Sequence, residues 1–193
     1  MALADTELKM TLQKVHPGGY FWNVARGDRD QLVLRLATEA KQLVVIAHST
    51  AAAKHFAQRL TLSGLPVFVA VDPSRKELVK AELSKRTNTV VTTSEYVLKH
   101  GPIEMPLAIH LRAAQTARVY ARMVEAVLAK VHITFITAED LTRAASLVAQ
   151  LRSGGKDGDV PDISLEDVID LTDGAASENA AVANFRRRFP LRP

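Results

Sequence analysis

From residue 43 onward, short continuous apolar runs alternate with stretches of helical spacing. LVVIA (residues 43–47) has the pattern of a strand covered on both faces, and TAAAKHFAQRLTLSG after it predicts a helix ended by Gly64. VFVAV (67–71) is the next strand, after which Pro73 opens a helix through about Leu83 with Asp72 and Ser74 as candidate caps. TVVTT (89–93), LAIHL (107–111) and VHITFIT (131–137) give three more strands. The stretch 88–111, a β-branched run, a Thr-Thr-Ser turn, a short helical segment and a second apolar run, is the crossover that organises the rest. Residues 115–130 are expected to form one helix, with Ala117, Val119, Tyr120, Met123, Val124, Val127 and Leu128 as its apolar content. A last helix, 139–151, follows a Thr137-x-Glu139-Asp140 start that resembles a capping box. Five strands alternating with helices predict an α/β fold: three layers, a mostly parallel sheet of five or more strands and helices on both faces.

The two ends depart from this alternation. Residues 1–12 read as an arm, 13–151 as the domain, and 152–193 as an extension made of an acidic strap and a basic tail. QKVHPGGYFWN (13–23) joins a Pro-Gly-Gly turn to Tyr20, Phe21 and Trp22, whose rings either stack bases or, as the simpler reading has it, pack an entry segment against the domain edge. A helical stripe over 28–40 follows. In the extension, DVIDLTD (167–173) resembles a SUMO-interaction motif, an apolar strand with acidic flanks that adds to a partner's sheet edge. A short helix over 164–171 packed back on the domain is the preferred expectation.

Composition narrows the classes. Hydrophobic residues make up 47% and charged residues 24% of the 193, and no apolar run approaches the roughly 18 residues of a membrane helix, so a globular chain with no membrane partner is expected. There are no cysteines, which excludes disulfides, thiolate metal sites and cysteine nucleophiles. The compartment stays open among cytoplasm, nucleus and organelle, and the acids at Asp5 and Glu7 argue against a secretory leader or a typical transit peptide. His48, His55, His100, His110 and His132 are dispersed without metal-ligand spacing, and no nucleophile elbow occurs, so no cofactor or metal is expected. His110 and His132 lie within strands and are expected to be packed imidazoles.

The order and wording of these pieces resemble the C-terminal RecA-like lobe of DEAD-box RNA helicases (superfamily 2) over about residues 13–151. KQLVVIAHSTAAAKHFAQRLTLSGLPV is similar to that family's strand, helix and Gly unit, and VDPSRKEL to its His-Gly-Asp-x-x-Gln-x-x-Arg turn. VVTTSEYVLKHGPIEMP is similar to its Val-x-Thr-Asp…Arg-Gly-x-Asp-x-Pro passage, and ITFITAEDLTRAASLVAQL to its closing strand and helix. The family's catalytic positions are the ones that depart. Its two finger arginines, which stabilise charge in phosphoryl transfer, fall on Ala126 and Ala129. The histidine and arginine before them fall on Arg122 and Met123, and two aspartates fall on Ser94 and Glu104. No phosphate-binding Gly-x-x-x-x-Gly-Lys-Ser/Thr occurs either.

The resemblance therefore implies a lobe without ATP chemistry, not an enzyme, whose remaining capacity is contact with an RNA backbone through strand-end loops. Ser49, Asp72 and Thr93 occupy the family's contact positions; Thr50, Arg75, Lys99 and His100, together with His48, add donors or charge. Each has an ordinary alternative, a helix cap for the hydroxyls and a solvated charge for Lys99. Arg186, Arg187 and Arg188, between Phe185 and Phe189, suit phosphate contact with base stacking, or are simply a solvated terminus. The expected function is a catalytically inactive, helicase-like structural or assembly component of a ribonucleoprotein particle such as a ribosome or its precursor, with RNA and neighbouring protein subunits as partners. The alternative is a protein-interaction module that docks a partner through the former helicase cleft without RNA; a half-enzyme completed in trans is a third reading, against which Ala126 and Ala129 argue.

Overall fold

The computed structural model describes residues 11–16, 18–24, 26–40, 42–72, 74, 77, 81, 89–152, 168–170, 183 and 187. The helix expected to open at Pro73 lies largely outside the described residues. The others form β1 (Thr11–His16), β2 (Gly19–Asn23), α1 (Arg26–Ala40), β3 (Leu43–Ala47), α2 (Thr50–Leu62), β4 (Val67–Ala70), β5 (Thr89–Thr93), α3 (Ser94–His100), β6 (Ile103–His110), α4 (Ala117–Ala126), β7 (Val127–Ile136), a 3-10 turn (Ala138–Asp140), α5 (Leu141–Arg152) and β8 (Val168–Asp170).

All eight strands join one sheet in the order β4-β5-β3-β6-β7-β2-β1-β8. The six from β4 to β2 are mutually parallel, and β1 runs antiparallel to β2 and to β8. Alternation along the strands splits the core into two faces. Leu43, Val45, Leu107, Ile109, Val131, Ile133 and Phe135 pack with the buried stripe of α1 and with Ala53, Phe56, Ala57 and Leu60 of α2. On the other face, Tyr96 and Val97 of α3 pack on Val44, Ile46, Val90 and Ala108. Tyr120 and Met123 of α4 and Ala144, Leu147 and Leu151 of α5 cover Phe21 and Ile136. The central strands β3 and β5 are buried on both sides, which is why LVVIA is an unbroken apolar run and TVVTT a β-branched one without charged residues. The expected three-layer α/β arrangement is what forms.

Four local expectations need correction. Tyr20, Phe21 and Trp22 are not an edge segment: they form a strand inside the sheet, with Trp22 fully buried, opposite Phe135 in register and with the two rings 5.5 Å apart. Gly18 makes this hairpin possible, because its φ is +79° and a Cβ there would stand 2.8 Å from the Lys130 carbonyl oxygen. The helix expected over 115–130 stops at Ala126, and Val127 is already extended (φ −122°, ψ 103°) and paired with Ile103. Alternate burial over 127–131 suits a strand, and the β6 ladder satisfies the backbone that a longer helix would have used.

Residues 168–170 form a strand in place of the preferred short helix. They pair with the chain's own β1 edge, with Thr11, Leu12 and Gln13 opposite Asp170, Ile169 and Val168. An open sheet edge offers unpaired N–H and C=O groups, and three residues of extended chain satisfy them. The sheet thus takes in residues on both sides of the 13–151 span. Finally, Thr137 makes no side-chain cap; its hydroxyl donates instead to the Asp140 carboxylate (3.3 Å).

Candidate nucleic-acid interface

Six parallel strands present their C-terminal ends at one edge, so the segments after β3, β4, β5, β6 and β7 emerge on a common rim. Ser49 caps α2, its hydroxyl accepting from the Ala52 N–H at 3.2 Å, and Thr50 opens that helix, exposed. Thr93 caps α3 in the same way, accepting from the Tyr96 N–H at 3.2 Å, and is buried. Asp72, past the end of β4, accepts from the N–H (2.9 Å) and hydroxyl (2.8 Å) of Ser74. These four share the rim, and three of them are engaged in local capping or turn bonds. Burial, with the Asp72 charge behind it, pushes the Tyr96 phenol up.

Lys99 and His100 are elsewhere. α3 carries the chain back from the end of β5 to the start of β6, so its last turn lies at the opposite edge of the sheet, with the His100 ring against Tyr96 (centroids 4.8 Å apart). Arg187 is exposed in helical backbone; Arg75, Arg186 and Arg188 lie outside the described residues.

The positions that the resemblance assigns to nucleotide chemistry are scattered. Ser94 starts α3 at the rim, whereas Glu104 is exposed near the start of β6 at the far edge. Arg122 is exposed on α4, Met123 is buried beneath it, Ala126 ends the helix, and Ala129 is not on the helix at all but in β7 opposite Met105. Arg122 and Ala126 do meet in one open groove, with Val97, Leu98, Pro102 and the exposed Leu128. Its floor is tight: a Cβ on Gly101 would stand 2.8 Å from the Ala126 carbonyl oxygen.

Sequence reasoning missed a cluster of arginines on the rim. The Leu111 N–H donates to the Ile46 carbonyl (3.0 Å), continuing the β3–β6 ladder to the point where the chain leaves β3 for one face and β6 for the other. Here Arg112 Nε donates to Asp140 Oδ1 at 3.1 Å, and Arg143 Nη1 stands 3.8 Å from the same oxygen. Arg29, in the first turn of α1, donates through Nη1 to the Leu111 carbonyl (3.4 Å) and through Nε to Asp30 (3.1 Å), which also receives Arg59. Asp140 is buried, with 2% of its side chain exposed, whereas Arg112 keeps 33% and Arg143 41%. At this corner partial desolvation, then the fields of Arg112, Arg29 and Arg143, hold the His48 imidazole below its ordinary pKa of 6.5, against the opposing pull of Asp140. Residues 29, 48, 112 and 143 are far apart in the chain and form no motif; only the strand order brings them together. His110 and His132 are the packed imidazoles expected, and they meet each other across β6 and β7, Nε2 to Nδ1 at 3.3 Å.

Among the described residues no helix is long and apolar enough to cross a membrane, and no group of three or more His, Cys, Asp or Glu side chains could hold a metal ion. No protein-family model matches the chain, and no curated protein matches it in sequence. Solved structures do. A crystal structure of the E. coli DEAD-box protein SrmB bound to regulator of ribonuclease activity A matches with a TM-score of 0.58 and 15% identity, over 69% of this chain and 84% of that one. The S. cerevisiae Dbp5 C-terminal domain bound to Gle1 matches at 0.53 and 13%, over 86% and 97%. The RNA helicase Prp28 from Chaetomium thermophilum, bound to ADP, matches at 0.58 and 15%, over 77% of this chain but only 39% of that one. At these identities the likeness is one of fold, and the fold of this chain is that of the C-terminal RecA-like lobe of DEAD-box helicases.

Proposed function

We propose that this lobe has no ATP chemistry of its own and serves as a structural or assembly component of a ribonucleoprotein particle, holding RNA at the rim of strand ends. The observation that carries it is the α4–β7 junction. Where the resemblance puts phosphate-reaching arginines, at positions 126 and 129, there is a helix ending in Ala126 and a strand starting at Val127, and neither of these two positions carries a cation. Arg29, Arg112 and Arg143 gather instead at the β3–β6 corner of the rim. The test is twofold. Purified protein with ATP and RNA is expected to release no phosphate above a buffer blank; hydrolysis abolished by Ser94→Ala or Glu104→Gln would overturn the reading. RNA recovered by native purification at low salt is expected to dissociate steeply as salt rises, since phosphate contacts release counterions.

A second reading has its own support. The groove of Val97, Leu98, Pro102, Ala126 and exposed Leu128 is apolar enough for a protein partner, and the SrmB and Dbp5 structures were both solved with a protein bound. A partner retained through nuclease and high salt, and lost on Leu128→Asp, would favour docking through this groove without RNA.

A further inference from the structure

We propose that Arg112, Arg143 and Arg29, grouped about His48 where the ends of β3, β6 and β7 meet, form a phosphate-binding site that takes a backbone phosphate of single-stranded RNA. The ligand's identity rests on the RNA reading above; the site itself does not.

The charge balance is the first argument. Among the described residues, Arg112 and Arg143 share the Asp140 carboxylate, and Arg29 and Arg59 share that of Asp30, so four guanidinium groups face two carboxylates. Within these two clusters the guanidinium groups outnumber the carboxylates, beside the exposed His48; exposed Glu139, on the same 3-10 turn as Asp140, and Asp72, farther along the rim, are acids at the margin. Geometry is the second. Arg112 uses Nε on Asp140, which leaves its two Nη groups to the exterior. Buried Asp140, braced by the Thr137 hydroxyl, fixes the guanidinium plane as a preorganised fork for oxygen ligands. Placement is the third: adjacent parallel strands whose connections leave to opposite faces open a crevice at their carboxyl ends, where ligands of open α/β sheets bind.

His48 supplies the diagnostic. The groups facing it are Arg29 from α1, Arg112 from the segment after β6, Asp140 from the 3-10 turn and Arg143 from α5, and all but Asp140 disfavour its protonation. An anion seated among them reverses that balance and draws a proton onto the imidazole. By linkage, anion affinity rises as pH falls through the His48 range and levels off once the imidazole is charged in both states. A phosphodiester keeps one charge throughout this range, so the pH dependence belongs to the protein.

The experiment uses the full chain and two probes, a fluorescein-labelled oligouridylate followed by anisotropy at low salt, and sulfate followed at the His48 ring resonance by NMR. Sulfate is expected to move the His48 titration upward. Oligouridylate is expected to bind more tightly at pH 5.5 than at pH 7.5, with His48→Gln flattening that dependence. Arg112→Gln and the more exposed Arg143→Gln are each expected to weaken RNA binding about tenfold, the scale of one charge-assisted contact, and to reduce the salt slope by about one. Thermal melts of both variants separate loss of the site from loss of the fold, and Arg143→Gln, whose pairing distance is the longer, keeps the test open if Arg112→Gln unfolds. RNA binding that ignores both variants and pH, with His48 unmoved by sulfate, overturns this site and leaves the RNA reading standing. A sulfate response without RNA binding overturns RNA as ligand and supports an anion site. Neither response overturns both.

Discussion

Asp140 decides more than its own pairing. It is buried and accepts from the Arg112 guanidinium and the Thr137 hydroxyl, so one carboxylate orients the segments after both β6 and β7. Asp140→Asn keeps the shape but removes the charge and turns an amide toward a cation. Because Arg112 is a third exposed and can rehydrate, the expected cost is about 1–3 kcal/mol, below that of breaking a fully buried pair. Urea unfolding is expected to show a lower midpoint with an unchanged slope. The same change removes the one group that favours the His48 imidazolium, so the His48 titration, read by NMR, is expected to move further below 6.5. At this scale the sequence was a poor guide. Ser49 and Thr93 could be placed because hydroxyls at strand ends have a local meaning as caps. Arg29, Arg112 and Arg143 have none, since their proximity is created by pairing between strands remote in the chain.

Among the elements, the five strands of the parallel core were legible because apolar and β-branched residues run together in them without polar alternation, most completely in β3, which is buried on both faces, and α2 because Gly64 ends it at a φ of +82°. β2 was hidden by its composition: three aromatics in a row indicate packing but show no alternation that marks a strand, although the turn glycines beside them mark a hairpin. The α4–β7 boundary was hidden because VLAKV satisfies helical spacing as well as alternation, and only the β6 edge decides between them. β8 was hidden by its brevity. Its three residues pair with the β1 edge, so proline at position 169 is a probe of that pairing. Ile169→Pro is expected to raise amide exchange at residues 11–13, opposite β8, while β3, β5 and β6 keep their protection.

Over the whole molecule, β2 reaches its partner β7 across more than a hundred residues, Gly19 opposite His132, and every parallel pairing needs a crossover. Loop closure of this kind precedes any reward from packing, which predicts refolding on the slow millisecond-to-second scale. Trp22 is the one tryptophan of the chain and packs on Phe135, so its emission reports this closure directly. The expected outcome is blue-shifted native emission, lost in urea together with the helical circular dichroism signal. A separate early transition in Trp22 would mean that the hairpin docks on a sheet already complete without it.

The direct passage from Ala126 to Val127 also limits what substitution at this junction can do. Ala126→Arg and Ala129→Arg would each place a cation at a position to which the resemblance assigns one. Yet position 129 now points along a strand whose register is locked to Met105, and an arginine there would emerge from the sheet rather than from a helix. A turn cannot be lengthened by exchanging side chains. A helical guanidinium at position 129 would require inserted residues and a shifted ladder together, so exchange of side chains alone leaves the geometry of this junction as it is.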